Sequence, residues 1–216
     1  MGRALTARDD ILARVRAALA DVPDAETGED VPVPREYRTA EEGDAIELFV
    51  ERVTDYGAGV HRTNAQGVAG TVATVCEAHG AETLVVPADL PREWLPPGVD
   101  VVSDDAHTVA ELDRLGAALT GCALAIAETG TIALDGGLGQ GRRALTLVPD
   151  LHICVVQEAQ IVDGVPAGLR RLAAGMRADR RPVTLVSGPS ATSDIELSRV
   201  EGVHGPRRLE LVLVTS

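Results

Sequence analysis

The first 38 residues combine a helical pattern with a linker pattern. Apolar side chains recur every three to four positions over residues 1–20, which predicts an amphipathic helix. Thr6 and Asp9 have the spacing of a capping box at its start, in which the two side chains satisfy N–H groups of the first turn. Residues 21–38 hold three prolines among acidic and small residues, a composition typical of an exposed connection. We therefore predict an N-terminal amphipathic helix and a proline-rich linker over residues 1–38.

The remaining residues, 39–216, alternate short apolar runs with helical patterns, and we predict that they form one α/β domain. Thr39 and Glu42 repeat the capping-box spacing and predict the start of a helix that continues to about Tyr56. The next predicted elements are a helix over 68–78, a strand over 83–87, a strand over 99–103 and a helix over 109–119. Because buried strands alternate with helices, this stretch predicts a mostly parallel sheet covered by helices.

The pattern changes between residues 123 and 156. Four strand-like runs follow one another there, over 123–127, 131–134, 144–148 and 151–156. Their connections are too short to contain a crossover helix, so these runs predict an antiparallel meander. The later predicted elements are a helix around 169–174, a strand over 183–187, a short helix from Asp194 and a last strand over 209–214. The predicted fold class is α/β, with a mixed parallel and antiparallel sheet covered by helices.

The composition narrows the range of functions. The 216 residues are 45% hydrophobic, which is enough for one core, and the net charge of -13 argues against nucleic acid and anionic membranes as partners. All 20 basic residues are arginine, which excludes a Schiff-base lysine and the lysine of a P-loop or a kinase. No apolar run is long enough to span a bilayer, and the N-terminus lacks a signal-peptide pattern. We therefore expect a cytoplasmic protein.

The cysteines and histidines do not form ligand patterns. Cys76, Cys122 and Cys154 are an odd number without a C-x-x-C pair, which predicts buried free thiols rather than disulfides or an iron–sulfur cluster. The five histidines lack H-x-x-x-H and H-x-H spacing. We therefore predict no metal site and no bound cofactor.

The first candidate site is the polar stretch that follows the predicted strand at 183–187. Residues 187–194 supply glycine, hydroxyl side chains and the start of an S-x-x-E capping box, and a turn of this kind can hold an anion at a helix N-terminus. The predicted ligand-binding residues of this stretch are Ser190, Thr192, Ser193 and Asp194. The alternative is an ordinary strand-to-helix connection with a good cap.

The second candidate is the glycine-rich stretch at 136–143. Its glycines allow a close approach of the backbone, and its two adjacent arginines offer planar forks for carboxylate or phosphate. The predicted ligand-binding residues here are Gln140, Gly141, Arg142 and Arg143. A dinucleotide fingerprint is rejected because the following residues do not have the pattern of a helix. The alternative is a hairpin loop with solvated arginines.

The third candidate is the E-T-G-T turn after the apolar run at 123–127. Glu128 lies beside hydrophobic residues, where partial burial raises the pKa of a carboxyl group and suits it to nucleophilic or acid–base work. Thr129, Gly130 and Thr131 complete this turn as predicted ligand-binding residues. The alternative is a glutamate that only accepts hydrogen bonds from turn amides. His204, fixed between glycine and proline ahead of the last strand, is a further ligand-binding candidate.

Four collinear stretches carry a resemblance to a known family. They are AIAETGTIALD, GQGRRALTLVPDLHICVV, SGPSATSDIE and GVHGPRRLELVLV. In them the chain closely resembles the lactate utilization protein C (LutC/YkgG) family, or LUD domain, over about residues 121–214. The resemblance implies a fold similar to that of ribose-5-phosphate isomerase, glucosamine-6-phosphate deaminase and CoA transferases (NagB/RpiA/CoA transferase-like).

The resemblance also implies a role in a three-component system that oxidises L-lactate to pyruvate. The companion proteins carry the iron–sulfur clusters, and no catalytic role is defined for this component, so whether the chain is an enzyme stays open. Glu128 resembles the glutamate of the E-x-G motif in CoA transferases, which leaves an acyl-transfer enzyme as one alternative. A non-catalytic assembly subunit is the other. The leading hypothesis is a component that binds a small anionic ligand and acts with iron–sulfur partner proteins.

Overall fold

The computed structural model describes residues 6–23, 25–27, 34, 43–192, 200–201 and 204–215. The chain divides into two compact units, residues 1–38 and residues 39–216. In the first unit, helix α1 covers Ala7–Ala18. Thr6 caps it as predicted: its hydroxyl accepts from the N–H of Asp9 at 3.3 Å, and the Asp9 carboxylate accepts from the N–H of Thr6 at 3.0 Å.

The second unit contains four helices and twelve strands among its described residues. The helices are α2 (Ala45–Asp55), α3 (Val68–His79), α4 (Val109–Leu115) and α5 (Val165–Asp179). The strands are β1 (Gly59–Thr63), β2 (Thr83–Val86), β3 (Asp100–Ser103), β4 (Ala117–Gly121), β5 (Leu124–Ile126), β6 (Thr131–Leu134), β7 (Leu151–Gln157), β8 (Ile161–Val162), β9 (Thr184–Val186), β10 (Ala191–Thr192), β11 (Val200–Glu201) and β12 (Arg208–Val214). Short 3₁₀ turns lie at Arg92–Trp94, Arg143–Thr146 and Glu158–Gln160.

The strands form three sheets. The largest has six strands in the order β1-β12-β7-β4-β2-β3, and every pairing in it is parallel. A four-stranded sheet has the order β8-β5-β6-β9, with antiparallel pairs on both sides of β6 and a parallel pair between β5 and β8. Strands β10 and β11 form a short antiparallel pair. The α/β class with a mostly parallel sheet is confirmed.

The apolar core lies on both faces of the six-stranded sheet. On one face, Phe49 and Val53 of α2 pack with Leu211 of β12 and with residues of the four-stranded sheet. On the other face, Val72 of α3 packs with the neighbouring residue of β12, Val212. Burial on both faces is the reason that β7 is an almost continuous apolar run. The free thiols of Cys76, Cys122 and Cys154 are buried, as predicted.

Two predicted element boundaries differ from the structure. The helix predicted over 109–119 ends at Leu115, because Gly116 adopts φ +72° and the next five residues form strand β4 between β2 and β7. The helix predicted to open at Thr39 begins at Ala45, where the Asp44 side chain accepts from the N–H of Ile46 at 2.8 Å. Residues 39–42 lie outside the described part of the chain.

The antiparallel meander predicted between residues 123 and 156 is wrong in its second half. Strands β5 and β6 do pair antiparallel, but residues 143–146 form a 3₁₀ turn, and β7 joins the other sheet parallel to β4 and β12. The connection from β6 therefore leads from one sheet to the other, and it carries the glycine-rich stretch with it. Within the described residues no helix is both long enough and apolar enough to cross a bilayer.

Candidate functional site

A cavity of about 540 Å³ opens between the two larger sheets. Residues 187–190, which follow strand β9, and residues 204–206, which precede β12, line one side of it. His152 near the start of β7 and the 3₁₀ turn with Arg143 line the other side, and Asp55 and Tyr56 at the end of α2 also contribute. The cavity thus lies where the carboxyl end of β9 meets the amino ends of β7 and β12.

Two backbone segments are joined at the rim of this cavity. The N–H of Ser190 donates to the carbonyl of Pro206 at 2.8 Å. The N–H of His204 donates to the Ser190 hydroxyl at 2.9 Å. The structure therefore brings together the predicted residues Ser190 and His204, although 14 positions separate them in the sequence.

His152 is a buried residue of the cavity lining. Its Nε2 atom lies 2.8 Å from the Thr120 hydroxyl, and the residue is 1% exposed. Burial, and next the positive charge of Arg143, lower the pKa of His152 from its usual 6.5 to about 4. The imidazole is therefore neutral at pH 7, where it offers one N–H donor and one acceptor.

Arg143 is the cation of the cavity lining. Its Nη1 atom donates to the Thr146 carbonyl at 3.0 Å and to the Thr146 hydroxyl at 2.9 Å. Partial burial lowers the pKa of Arg143, but a guanidinium stays charged at neutral pH. Among the described residues no carboxylate oxygen lies within 4.0 Å of a guanidinium nitrogen of Arg143. Its remaining N–H donors are therefore available to an anionic ligand in the cavity.

Arg142, the other predicted arginine, has a different role. Its Nε and Nη2 atoms each donate at 2.8 Å to the Asp104 carboxylate, which follows strand β3 and is 4% exposed. The guanidinium of Arg142, above all through these hydrogen bonds, lowers the pKa of Asp104. This bidentate pair fixes the end of the glycine-rich stretch beside β3. The two neighbouring arginines are thus separated, with Arg143 in the cavity lining and Arg142 in an ion pair.

Gln140 and Gly141 organise the same stretch from inside. The amide of Gln140, which is buried, accepts from the N–H of Asp135 at 2.8 Å and donates to the Asp135 carboxylate at 2.8 Å. Gln140, Gly141 and Arg142 line a neighbouring cleft of about 420 Å³, which shares Arg143 with the first cavity. Their contacts support the position of Arg143 rather than reaching the cavity themselves.

Glu128 is not among the lining residues of the cavity. Its Oε2 atom accepts from the N–H of Val165 at 3.3 Å, and its own N–H donates to the carbonyl of Asp163 at 2.9 Å. These contacts place the carboxylate at the first turn of α5, where a negative charge is favoured by the helix dipole. They are the contacts of the alternative interpretation, a glutamate bonded to amides. The nucleophilic role of Glu128 stays a prediction.

Thr129 and Thr131 connect the E-T-G turn to the cavity through hydroxyl groups. The Thr129 and Thr131 hydroxyl oxygens are 2.7 Å apart, and the Thr131 oxygen lies 2.7 Å from the hydroxyl of Ser187. Ser187 lines the cavity, so Thr131 lies one hydrogen bond behind its surface and Thr129 lies two behind it. Gly130, between them, packs against the backbone of α2.

The cap at α5 has a measurable consequence. Replacement of Glu128 by alanine should lower the free energy of unfolding by about 1 kcal/mol, because the N–H of Val165 loses its charged acceptor. Urea denaturation at pH 7 measures this loss. Glu77→Ala, at an exposed position of α3, is the matched control and should change stability by less than about 0.5 kcal/mol. Equal stability of both variants would contradict the capping role.

The remaining predicted residues lie at the end of the described range 43–192 or beyond it. Thr192 belongs to strand β10, where it pairs with Val200, so the predicted loop is a strand at this point. Ser193 and Asp194, with the short helix predicted from Asp194, lie outside the described residues. Across the described residues no group of three or more His, Cys, Asp and Glu is arranged to hold a metal ion.

His152 and Thr146 are lining residues that the sequence pattern did not single out. His152 stands in the run LHICVV, in which its imidazole is the one strongly polar side chain. A polar residue inside a strand that is otherwise buried needs a hydrogen-bond partner or a function. That signal is present in the sequence, but only the fold shows that one end of the strand borders a cavity.

Comparisons with known proteins agree on one family. The family model of the LUD domain matches residues 46–214. The chain is 50% identical over 184 residues to "Lactate utilization protein C" of Deinococcus radiodurans, covering 85% of this chain and 84% of that protein. It is 26% identical over 164 residues to the protein of the same name from Macrococcus caseolyticus, covering 70% of each.

A solved structure is similar as well. The crystal structure of a DUF162 family protein from Deinococcus radiodurans superposes with a TM-score of 0.69 at 43% sequence identity. The alignment covers 79% of this chain and 96% of that one. The match of the family model spans all the residues that line the cavity. This chain belongs to the LUD domain family.

Proposed function

We propose that this chain serves in lactate utilization by binding a small organic anion in the cavity at Arg143. The name of its 50% identical relative from Deinococcus radiodurans supports the process. The chemistry of the cavity supports the ligand class, because a guanidinium binds carboxylate or phosphate through two parallel hydrogen bonds. A volume of about 540 Å³ is within the range of cavities that enclose small organic ligands.

The observation that carries the proposal is that Arg143 and His152 line the same cavity. Arg143 has hydroxyl and carbonyl acceptors from Thr146 but no carboxylate partner within ion-pair distance among the described residues. After burial, the positive charge of Arg143 also lowers the pKa of His152, which supports the proximity of the two side chains. An anion bound between them is attracted by the arginine and can accept a hydrogen bond from the neutral imidazole.

The hydroxyl groups of the rim complete the proposed ligand site. Ser187 and Ser190 line the cavity beside His204, and they can donate to oxygen atoms that Arg143 does not reach. Asp55 is the acidic member of the lining, and it suits a hydroxyl group on the ligand. An organic acid with a hydroxyl or keto substituent matches this combination. We extend the proposal to iron–sulfur partner proteins, as the family resemblance implies.

Exchange of Arg143 tests the ligand site. A host that lacks its own lactate utilization protein C, and regains growth on L-lactate with the wild-type chain, should grow at least tenfold more slowly with Arg143→Gln. Isothermal titration with L-lactate and with pyruvate should show at least a tenfold weaker affinity in the variant, since the charged fork is lost. Arg170→Gln removes the same charge from an exposed position on α5 and should behave as the wild-type chain.

The partner role has a separate readout. Arg143→Gln should still co-purify with the iron–sulfur companions, because its side chain lies in a cavity. Normal growth on L-lactate with Arg143→Gln would contradict the ligand site and favour the assembly role. Loss of both growth and co-purification in a folded variant would also contradict the proposal, since one arginine would then serve the contact between proteins.

A further inference from the structure

A second cleft, of about 450 Å³, opens at the amino edge of the six-stranded sheet. Leu151 of β7 and Arg208 of β12 line it, whereas the next residues along the two strands, His152 and Leu209, line the first cavity. Successive side chains of a strand point to opposite faces of the sheet. At β7 and β12 the second cleft is therefore on the face covered by α3, opposite to the first cavity, whereas Arg114 and Leu115 reach it from α4, which packs on the other face of the sheet.

Three arginines border the second cleft. Arg114 comes from the last turn of α4, Arg207 directly precedes β12, and Arg208 is the first residue of β12. The acidic lining residues are Glu82 and Asp150, and Asp150 pairs with Arg207 at 3.1 Å. Three guanidinium groups against two carboxylates make the cleft positive, although the whole chain has a net charge of -13. Such a local excess of arginine attracts anions against the field of the whole protein.

Arg208 is oriented by a chain of partly buried partners. Its Nη1 atom lies 3.1 Å from Nδ1 of His79, and a guanidinium can only donate, so Nδ1 is the acceptor. The proton of a neutral His79 then lies on Nε2, which donates to Oε1 of Glu210 at 2.9 Å. The other carboxylate oxygen, Oε2, lies 2.7 Å from Nε2 of His61. The Glu210 side chain is 13% exposed, so this chain of contacts forms a rigid support beneath Arg208.

Arg114 has the opposite character. Among the described residues no carboxylate lies within 4.0 Å of its guanidinium nitrogens, and its exposed side chain borders the cleft. One supported arginine and one arginine without an ion-pair partner thus border the same recess. Two guanidinium groups can bind three or more oxygen atoms of one tetrahedral oxyanion, which a single carboxylate does not present.

We propose that the second cleft binds a small phosphate-bearing molecule, with its phosphate between Arg114 and Arg208. Inorganic phosphate is the minimal form of this ligand, and a phosphate monoester is the larger form that a recess of about 450 Å³ accommodates. Glu82 also lines the cleft, and its carboxylate can accept a hydrogen bond from a hydroxyl group of the organic part. The site is distinct from the cavity at Arg143 and does not depend on the function proposed for it.

Isothermal titration of the full chain with inorganic phosphate and with glycerol 3-phosphate tests the second cleft. The wild-type chain should bind both saturably, and the affinity should fall as KCl is raised. Arg208→Gln and Arg114→Gln should each weaken binding at least tenfold. Arg170→Gln, which removes the same charge from an exposed position on α5, should bind as the wild-type chain does. Arg143→Gln is titrated as well, to detect any binding of the same probes to the first cavity.

The Arg114 and Arg208 variants report separately on phosphate binding in the second cleft. Arg114 makes no ion pair within the described part of the chain, so Arg114→Gln reports on binding even if Arg208→Gln is destabilised. Absence of saturable binding to either probe at 10-millimolar concentrations would overturn the proposal. Equal weakening by Arg170→Gln and Arg208→Gln would show that only the overall charge matters, and loss of binding in Arg143→Gln alone would place the phosphate in the first cavity.

Discussion

Replacement of Gly130 by alanine is expected to destabilise the protein by about 3 kcal/mol, because both the backbone conformation and the space at this position are restricted. Gly130 adopts φ +57°, a backbone conformation that residues with a Cβ atom rarely adopt. A Cβ atom there would lie 2.5 Å from the backbone N of Val53 and 2.6 Å from the backbone C of Arg52. These atoms belong to helix α2 and cannot rotate away as a flexible side chain would. Urea denaturation of Gly130→Ala measures the effect.

Gly136→Ala is the matched control for this clash. Gly136 has a similar φ of +65°, but the nearest atom to its Cβ position is the carbonyl oxygen of Gly141, at 3.9 Å. The control should therefore lose only about 1 kcal/mol, the cost of the backbone conformation itself. The difference between the two variants measures the close contact between the E-T-G turn and α2. Two equal losses would show that α2 does not lie against Gly130.

Stability should depend on the protonation of His152 below neutral pH. The pKa of this residue falls from its usual 6.5 to about 4 in the folded protein, so the unfolded chain binds a proton more readily than the folded one. The free energy of unfolding therefore rises with pH between about 4 and 6.5. Acidification from pH 7 to pH 5 should remove about 2 kcal/mol through this residue alone.

His152→Gln isolates that contribution. The glutamine amide does not titrate, and its Nε2 can replace the imidazole Nε2 beside the hydroxyl of Thr120. Carboxylates with a lowered pKa, such as Asp104, also lose stability on acidification, but they do so in both proteins. The wild-type chain should therefore lose about 2 kcal/mol more than His152→Gln between pH 7 and pH 5. Parallel pH curves for the two proteins would show that His152 is not buried as a neutral base.

Much of the fold follows from local patterns. The apolar run at 151–156 and the alternation of helices and strands before it predict β7 and the parallel sheet, because buried parallel strands need continuous apolar sequence. The segment 117–119, AAL, is predicted to end a helix, since alanine and leucine favour helices, but it lies in strand β4. Pairing with β2 and β7 decides its structure, and this pairing depends on residues distant in the sequence.

The candidate site was also predictable only in part, because some of its contacts are local and others join residues distant in the sequence. Turn residues and glycine indicate loops that can bind ligands, and three residues predicted in this way, Arg143, Ser190 and His204, line the cavity. The sequence does not separate the roles of Arg142 and Arg143, because the partner of Arg142 is Asp104, 38 positions away. Neither does it show that His152 reaches a cavity, since this depends on the orientation of one sheet toward the other.

Point substitutions and changes of strand length should affect the two recesses differently. Because they lie on opposite faces of β7 and β12, a substitution such as one at Arg208 or Leu209 alters one recess and leaves the other intact. A residue inserted or deleted within either strand would instead turn every following side chain to the other face. A point substitution can therefore change one recess by itself, whereas we expect insertions and deletions in these strands to be eliminated by selection.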